Sequence, residues 1–117
     1  MMLTTKTILP LGALTLALVM PAVAAAQDAA AVKKGEEVYA AQKCSTCHAV
    51  AGKGNKTNPL DGVGAKLSAD DIKLWIVDPA AATAKAKSTK KPPMPAKYGK
   101  LPAAEIDALV AYMQSLK

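Results

Sequence analysis

The chain has 117 residues, with 15 lysines, no arginine, nine acidic residues and a formal net charge of +6. It contains no phenylalanine, one tryptophan and three tyrosines. This length allows one small domain, and so few large apolar side chains leave only a marginal core unless something else fills it. The basic balance suits acidic proteins or anionic surfaces, while the scarcity of aromatics and the lack of a recognised motif argue against nucleic acid.

Residues 1–26 have the pattern of an export signal. Lys6 supplies a positive start, and Ile8 to Val19 form a mostly apolar run broken by Pro10, Gly12 and Thr15. Pro21 then precedes small residues ending in Ala24-Ala25-Ala26, which fits an A-x-A cleavage site. A retained membrane anchor fits less well, because the run falls short of about 18 residues and contains a proline. A mitochondrial transit peptide would be rich in arginine. Cleavage after Ala26 would leave residues 27–117 as one exported, soluble domain in the periplasm, with no stable membrane anchor.

The spacing of Val32, Gly35, Val38, Tyr39 and Gln42 predicts a helix from about Ala29 to Gln42. Gly35 in its middle costs about 1 kcal/mol relative to alanine. A second helix crossing at close range would explain it, since glycine lets two backbones approach.

Next comes Cys44-Ser45-Thr46-Cys47-His48, which holds both cysteines and the single histidine of the chain. A Cys-x-x-Cys-His run is an attachment site for c-type haem. Each thiol can add to one vinyl group of the porphyrin, and the adjacent imidazole can then bind the iron. A structural zinc site would need four ligands, and there is no second pair. A thioredoxin-like motif needs a preceding strand, and a disulfide across so short a loop would stabilise little. One covalent haem c is therefore expected, and it would also supply the apolar body that the core lacks. The haem-free chain is expected to be largely unfolded.

A loop over 52–64 carries four glycines. Ser68 then suits an N-cap, with Asp70 and Asp71 in the first turn of a helix that bears Ile72, Trp75 and Ile76 and stops before Pro79. Residues 79–100 are expected as a loop with six lysines and no acid. Met94 sits there between Pro93 and Pro95. A third helix runs from about Pro102, suited to a first helical position, to Ser115, with Ile106, Leu109, Val110 and Met113 as its apolar stripe and Leu116 extending it. No run has a strand period, so the expected fold class is all-α.

Met94 is the better candidate for a second iron ligand. Met1, Met2 and Met20 fall in the export segment, and Met113 continues an apolar stripe. Prolines around Met94 restrict its loop, and a stiff loop can hold a weak thioether on the iron. The alternative is an open or water-bound iron.

With these pieces in place, residues 30–117 resemble a class I, bacterial-type cytochrome c. The resemblance rests on Cys44-Ser45-Thr46-Cys47-His48, on Leu60-Asp61-Gly62-Val63, on Pro93-Met94-Pro95 and on the closing segment from Leu101 to Met113. It implies a small cytochrome c fold with three main helices wrapped around one covalent haem, ligated by His48 and Met94. It implies that Gly35 and Tyr39 meet Leu109 and Tyr112 where the terminal helices cross. Trp75 or Tyr98 could reach a haem propionate or simply pack. The family commonly has proline where Asn58 stands, and its carbonyl orients the ligating histidine. With Pro59 displaced by one, either the Asn58 or the Pro59 carbonyl could serve here.

The function implied is one-electron transfer as a soluble, monomeric, non-enzymatic carrier between redox proteins. Lys85, Lys87, Lys90, Lys91, Lys97 and Lys100 could steer acidic partners toward the haem edge. Two other readings stand beside it. An open iron would suit a peroxidase or ligand sensor, and the same domain could be a fixed electron-transfer subunit of a larger oxidoreductase.

Overall fold

The computed structural model describes Gly12 and residues 21–117. Lys6 and the apolar run expected as the core of an export signal lie outside the described residues, Gly12 apart. Among the described residues there are five α-helices: α1 (Pro21–Ala41), α2 (Val63–Lys66), α3 (Ala69–Val77), α4 (Pro79–Ala86) and α5 (Ala103–Ser115). The backbone of α1 is helical across Ala26 and begins eight residues ahead of the expected start.

The architecture is helical, but three helices and loops do not describe it fully. Besides the short α2, which starts inside the stretch expected as a glycine-rich loop, two additions correct that expectation. α4 occupies the start of the stretch expected as a loop, because Asp78 and Pro79 start a helix as readily as they end one. The Asp78 carboxylate accepts from the Ala81 amide at 3.1 Å, and Pro79 takes the first helical turn. The alanines that follow are the best helix formers. The second addition is an antiparallel hairpin of β1 (Ala49–Val50) and β2 (Lys53–Gly54), pairing Ala49 with Gly54 and Val50 with Lys53. Ala51 and Gly52 both have positive φ at its tip, the geometry that closes a two-residue hairpin.

α3 starts as expected, with the Ser68 hydroxyl accepting from the Asp71 amide at 3.2 Å. Pro102 lies just outside α5 rather than in its first turn, and its carbonyl accepts from the Glu105 and Ile106 amides.

The terminal helices α1 and α5 cross and make the core. Val38, Ile72, Ile76, Ile106, Leu109, Tyr112 and Met113 form the buried cluster, with Val32, Tyr39 and Leu116 packed against it. Met113 is thus a core filler. A Cβ on Gly35 would stand 2.5 Å from the Tyr112 Cβ and 2.8 Å from the Ala108 carbonyl carbon, so the backbones touch there. Gly35 therefore meets Ala108 and Tyr112, while Leu109 packs beside it with Val38. Tyr39 meets Tyr112 edge-on, with ring centroids 5.6 Å apart at 73°. The chain end is tied in as well. The Gly64 amide of α2 donates to the Leu116 carbonyl at 2.8 Å.

Gly35→Ala should destabilise the haem-loaded protein. Overpacking of about 1–3 kcal/mol outweighs a helix-propensity gain of about 1 kcal/mol. Denaturant unfolding checks the sign.

The Tyr39 hydroxyl is buried without a hydrogen-bond partner among the described residues. Burial chiefly, with smaller contributions from Cys44, Tyr112 and Asp61, pushes its pKa up from 10.0 to about 12. Folding thus favours the neutral phenol, a contribution fully present below pH 10 and lost as pH rises toward about 12. Tyr39→Phe should raise the melting temperature at neutral pH, by relieving about 1 kcal/mol of unsatisfied burial. It should also flatten the decline of stability across that alkaline window.

Candidate haem site

α1 delivers the chain to Lys43, which adopts a left-handed conformation (φ 56°) and turns it. Cys44–Thr46 then form a 3₁₀ turn. The Cys47 and His48 amides both donate to the Cys44 carbonyl, at 3.2 and 3.0 Å. The attachment segment is therefore a single tight coil. Both thiols are free; Cys44 is half-buried and Cys47 exposed. Burial raises the Cys44 pKa, a backbone hydrogen bond opposes this, and Cys47 adds to the rise. Cys44 accordingly stays a protonated thiol near neutrality.

The following loop folds back onto this coil. A Cβ on Gly54 would stand 3.0 Å from the Ser45 carbonyl oxygen and nearer still to that of His48, so only glycine fits. Its φ of 108° also requires glycine. Asn55 comes next, and its amide donates to the Ser45 and His48 carbonyls at 3.1 and 3.0 Å. At the other end of the loop, His48 Nδ1 lies 3.1 Å from the Asn58 carbonyl oxygen. A carbonyl only accepts, so Nδ1 is the donor and carries the proton. That leaves Nε2 as the free nitrogen of a half-buried ring. Asn58, and not Pro59, provides the orienting carbonyl. Pro59 instead forms a parallel bridge with Ala49, whose carbonyl accepts from the Leu60 amide at 2.8 Å. Asp61 finishes the loop by accepting from the Ala51 amide at 2.8 Å.

Met94 is half-buried and lies between two anchored segments. On one side α4 ends at a left-handed Lys87, with the Ser88 amide donating to the Thr83 carbonyl at 3.0 Å. On the other, Pro95 leads into a 3₁₀ turn, Ala96–Lys100. There Gly99 presses on the end of α3, where a Cβ would stand 2.7 Å from the Val77 carbonyl oxygen. A cavity of about 450 Å³ opens beside Met94, walled by Val77, Pro79, Ala80, Thr83 and Pro93 among others. Cys44, Cys47 and His48 contribute no wall to it.

Trp75 does not join Ile72 and Ile76 in the core. It is half-buried and lines a smaller cleft of about 170 Å³ with Leu67, Leu74 and Ala82. Tyr98 packs against the core, with the Lys97 ammonium 5.2 Å from its ring centre. Lys85 is held by Asp71 at 2.5 Å, which pins α4 to α3 and keeps the Asp71 pKa low. Lys87, Lys90, Lys91 and Lys100 are exposed.

The residues present fit a covalent haem. Free thiols sit three positions apart on one coil and an oriented imidazole keeps one nitrogen open, while the cavity beside Met94 is walled by none of the three. The core is also thin for its purpose. None of its side chains is less than 2% exposed, and Val77 is 37% exposed. Among the described residues no group of three His, Cys, Asp or Glu could hold a metal ion otherwise. Asn55 and Gly54 escaped the sequence reading. The signal lay in an asparagine placed among glycines, a combination that marks a turn.

Such a site on such a helical frame defines a c-type cytochrome. Residues 32–117 match the cytochrome c family, and the chain belongs to it. It carries the attachment motif for one covalent haem c, at Cys44 and Cys47. The chain is 37% identical over 93 residues to the Cbb3-type cytochrome c oxidase subunit FixP of Azorhizobium caulinodans, covering 80% of this chain and 30% of that protein. It therefore spans under a third of the relative's length. No solved structure matches.

If haem completes this core, chain produced without haem attachment should show little helix by circular dichroism. It should also show no cooperative melt, whereas haem-loaded protein shows both.

Proposed function

We propose that this chain is a one-electron transfer domain with axial ligands His48 and Met94, working as a fixed electron-transfer part of a larger oxidoreductase. The single observation that carries this reading is the His48 Nδ1–H to Asn58 carbonyl bond, which leaves the opposite nitrogen free to take a metal. Kinship with an oxidase subunit, FixP, supports the fixed placement.

When bound, the haem takes up and releases a single electron at its iron. Cys44 and Cys47 would hold the macrocycle by thioether bonds. His48 would offer Nε2, with its ring kept from turning by Asn58. Met94 would offer sulfur from a loop restrained at Lys87 and at Gly99, so that neither ligand needs to move between oxidation states. A soft sulfur ligand favours the reduced iron, so a positive midpoint potential is expected. Pro93, Pro79, Ala80 and Val77 would shield that side from water, which disfavours the more highly charged oxidised state.

A second reading is a free shuttle, exported after cleavage at Ala26 and docking acidic partners through Lys87, Lys90, Lys91 and Lys100. Their exposure favours it. Among the described residues no helix is long and apolar enough to cross a membrane.

The oxidised spectrum should show a thioether-to-iron charge-transfer band that Met94→Ala abolishes. A high-spin spectrum with ready cyanide binding would instead mean an open iron and a peroxidase or sensor. The two placements separate on purification from the native cell. A fixed part stays with its oxidoreductase through high-salt washing. A shuttle elutes alone, and its oxidation by partners slows as ionic strength rises.

A further inference from the structure

We infer that Asn55 is the positioning residue for the His48 imidazole, acting through the loop that supplies its acceptor. This rests on His48 being an iron ligand, as proposed above. Asn55 uses every polar group except its own carbonyl in the loop's fold. Its amide is shared between the Ser45 and His48 carbonyls. Its side-chain Nδ2 donates to the Thr46 carbonyl at 3.2 Å, and its Oδ1 accepts from the Thr57 amide at 3.0 Å. One residue therefore grips the attachment coil at the Ser45, Thr46 and His48 carbonyls and, with its other end, fixes the residue just before Asn58.

The consequence is geometric. Asn58 reaches His48 only because residues 55–57 are folded into a turn that Asn55 closes on itself, from Oδ1 to an amide two positions on. The other end of the same side chain is fastened to the coil that carries the thiols. Gly54 presses against the coil from the preceding position, so the loop has no slack on that side. Cutting the Nδ2 and Oδ1 bonds lets Thr57 and Asn58 drift outward. The Nδ1–H bond then lengthens, the ring donates less electron density to a metal at Nε2, and its rotation is freed.

The test uses haem-loaded full chain with Asn55→Ala and Asn55→Asp. Asparagine to aspartate keeps the acceptor for Thr57 but loses the donor to Thr46. Proton NMR of the reduced protein follows solvent exchange of the His48 Nδ1–H and of the Leu109 and Tyr112 amides in α5. The midpoint potential is measured on the same samples. In Asn55→Ala the Nδ1–H should lose its protection from exchange, and the potential should rise because oxidised iron loses donor density. Asn55→Asp should speed that exchange by less while the α5 amides stay as in wild type, and exchange is its readout, since its added carboxylate by itself favours the oxidised iron. Asn55→Asp gives the answer by itself should the alanine variant fold poorly. Unchanged exchange and potential in the variants would overturn the role of Asn55. A wild-type protein with no ligated His48 ring signal would overturn the ligation beneath it, a separate and recognisable failure.

Discussion

The close crossing of α1 and α5 at Gly35 governs the geometry of everything that follows it in the chain. Backbone touches backbone there, so the crossing cannot slide without a collision between Gly35 and the Ala108 carbonyl. α1 leads straight from that contact to Lys43 and the attachment coil, with Val38 and Tyr39 pinned on α5 just before the turn. The position of Cys44 is thus inherited from a helix contact near the middle of α1. The C-terminal end of α5 in turn holds α2 through Leu116 and Gly64. Both ends of the 43–64 stretch are therefore fastened to one helix pair, and the loop between has only its own hydrogen bonds to arrange.

The Met94 side is built on different supports. α3 enters the core through Ile72 and Ile76, and α4 turns away from it at Asp78 and Pro79. The ion pair of Lys85 with Asp71 fastens that corner at its far end. It is an exposed pair, so its value lies in fixing direction more than in stability. Gly99 then returns the chain to the end of α3. The two halves of the proposed site are thus carried by separate frames, which meet through the α3–α5 part of the core.

Much of this was legible before any coordinates. Gly35 announced a close contact because a glycine in an alanine-rich helix is otherwise a cost. Ser68 announced its cap, Met113 its place in the core, and Cys44-Ser45-Thr46-Cys47-His48 its chemistry. Other features were not legible, each for a physical reason. α4 hid behind Pro79, which ends one helix and begins the next with equal ease. The hairpin is too short, at two residues per strand, to show an alternating pattern. The acceptor for His48 is a main-chain carbonyl, which any residue possesses, so side-chain identity could not separate Asn58 from Pro59. Trp75 was placed with Ile72 and Ile76 by spacing alone. A helix face is broad enough for one residue of such a set to look toward a different neighbour, here α4.

The hairpin tip has a property of its own. Ala51 and Gly52 stand out in solvent, and a Cβ on Gly52 would meet nothing within 4 Å. Positive φ at that tip is confined to two residues, and its tie to the rest of the loop is the Ala51 amide bond to Asp61. A reporter group grafted at Gly52 would therefore meet open space, at the cost of its positive φ, and the rest of the loop would register it through Ala51 and Asp61.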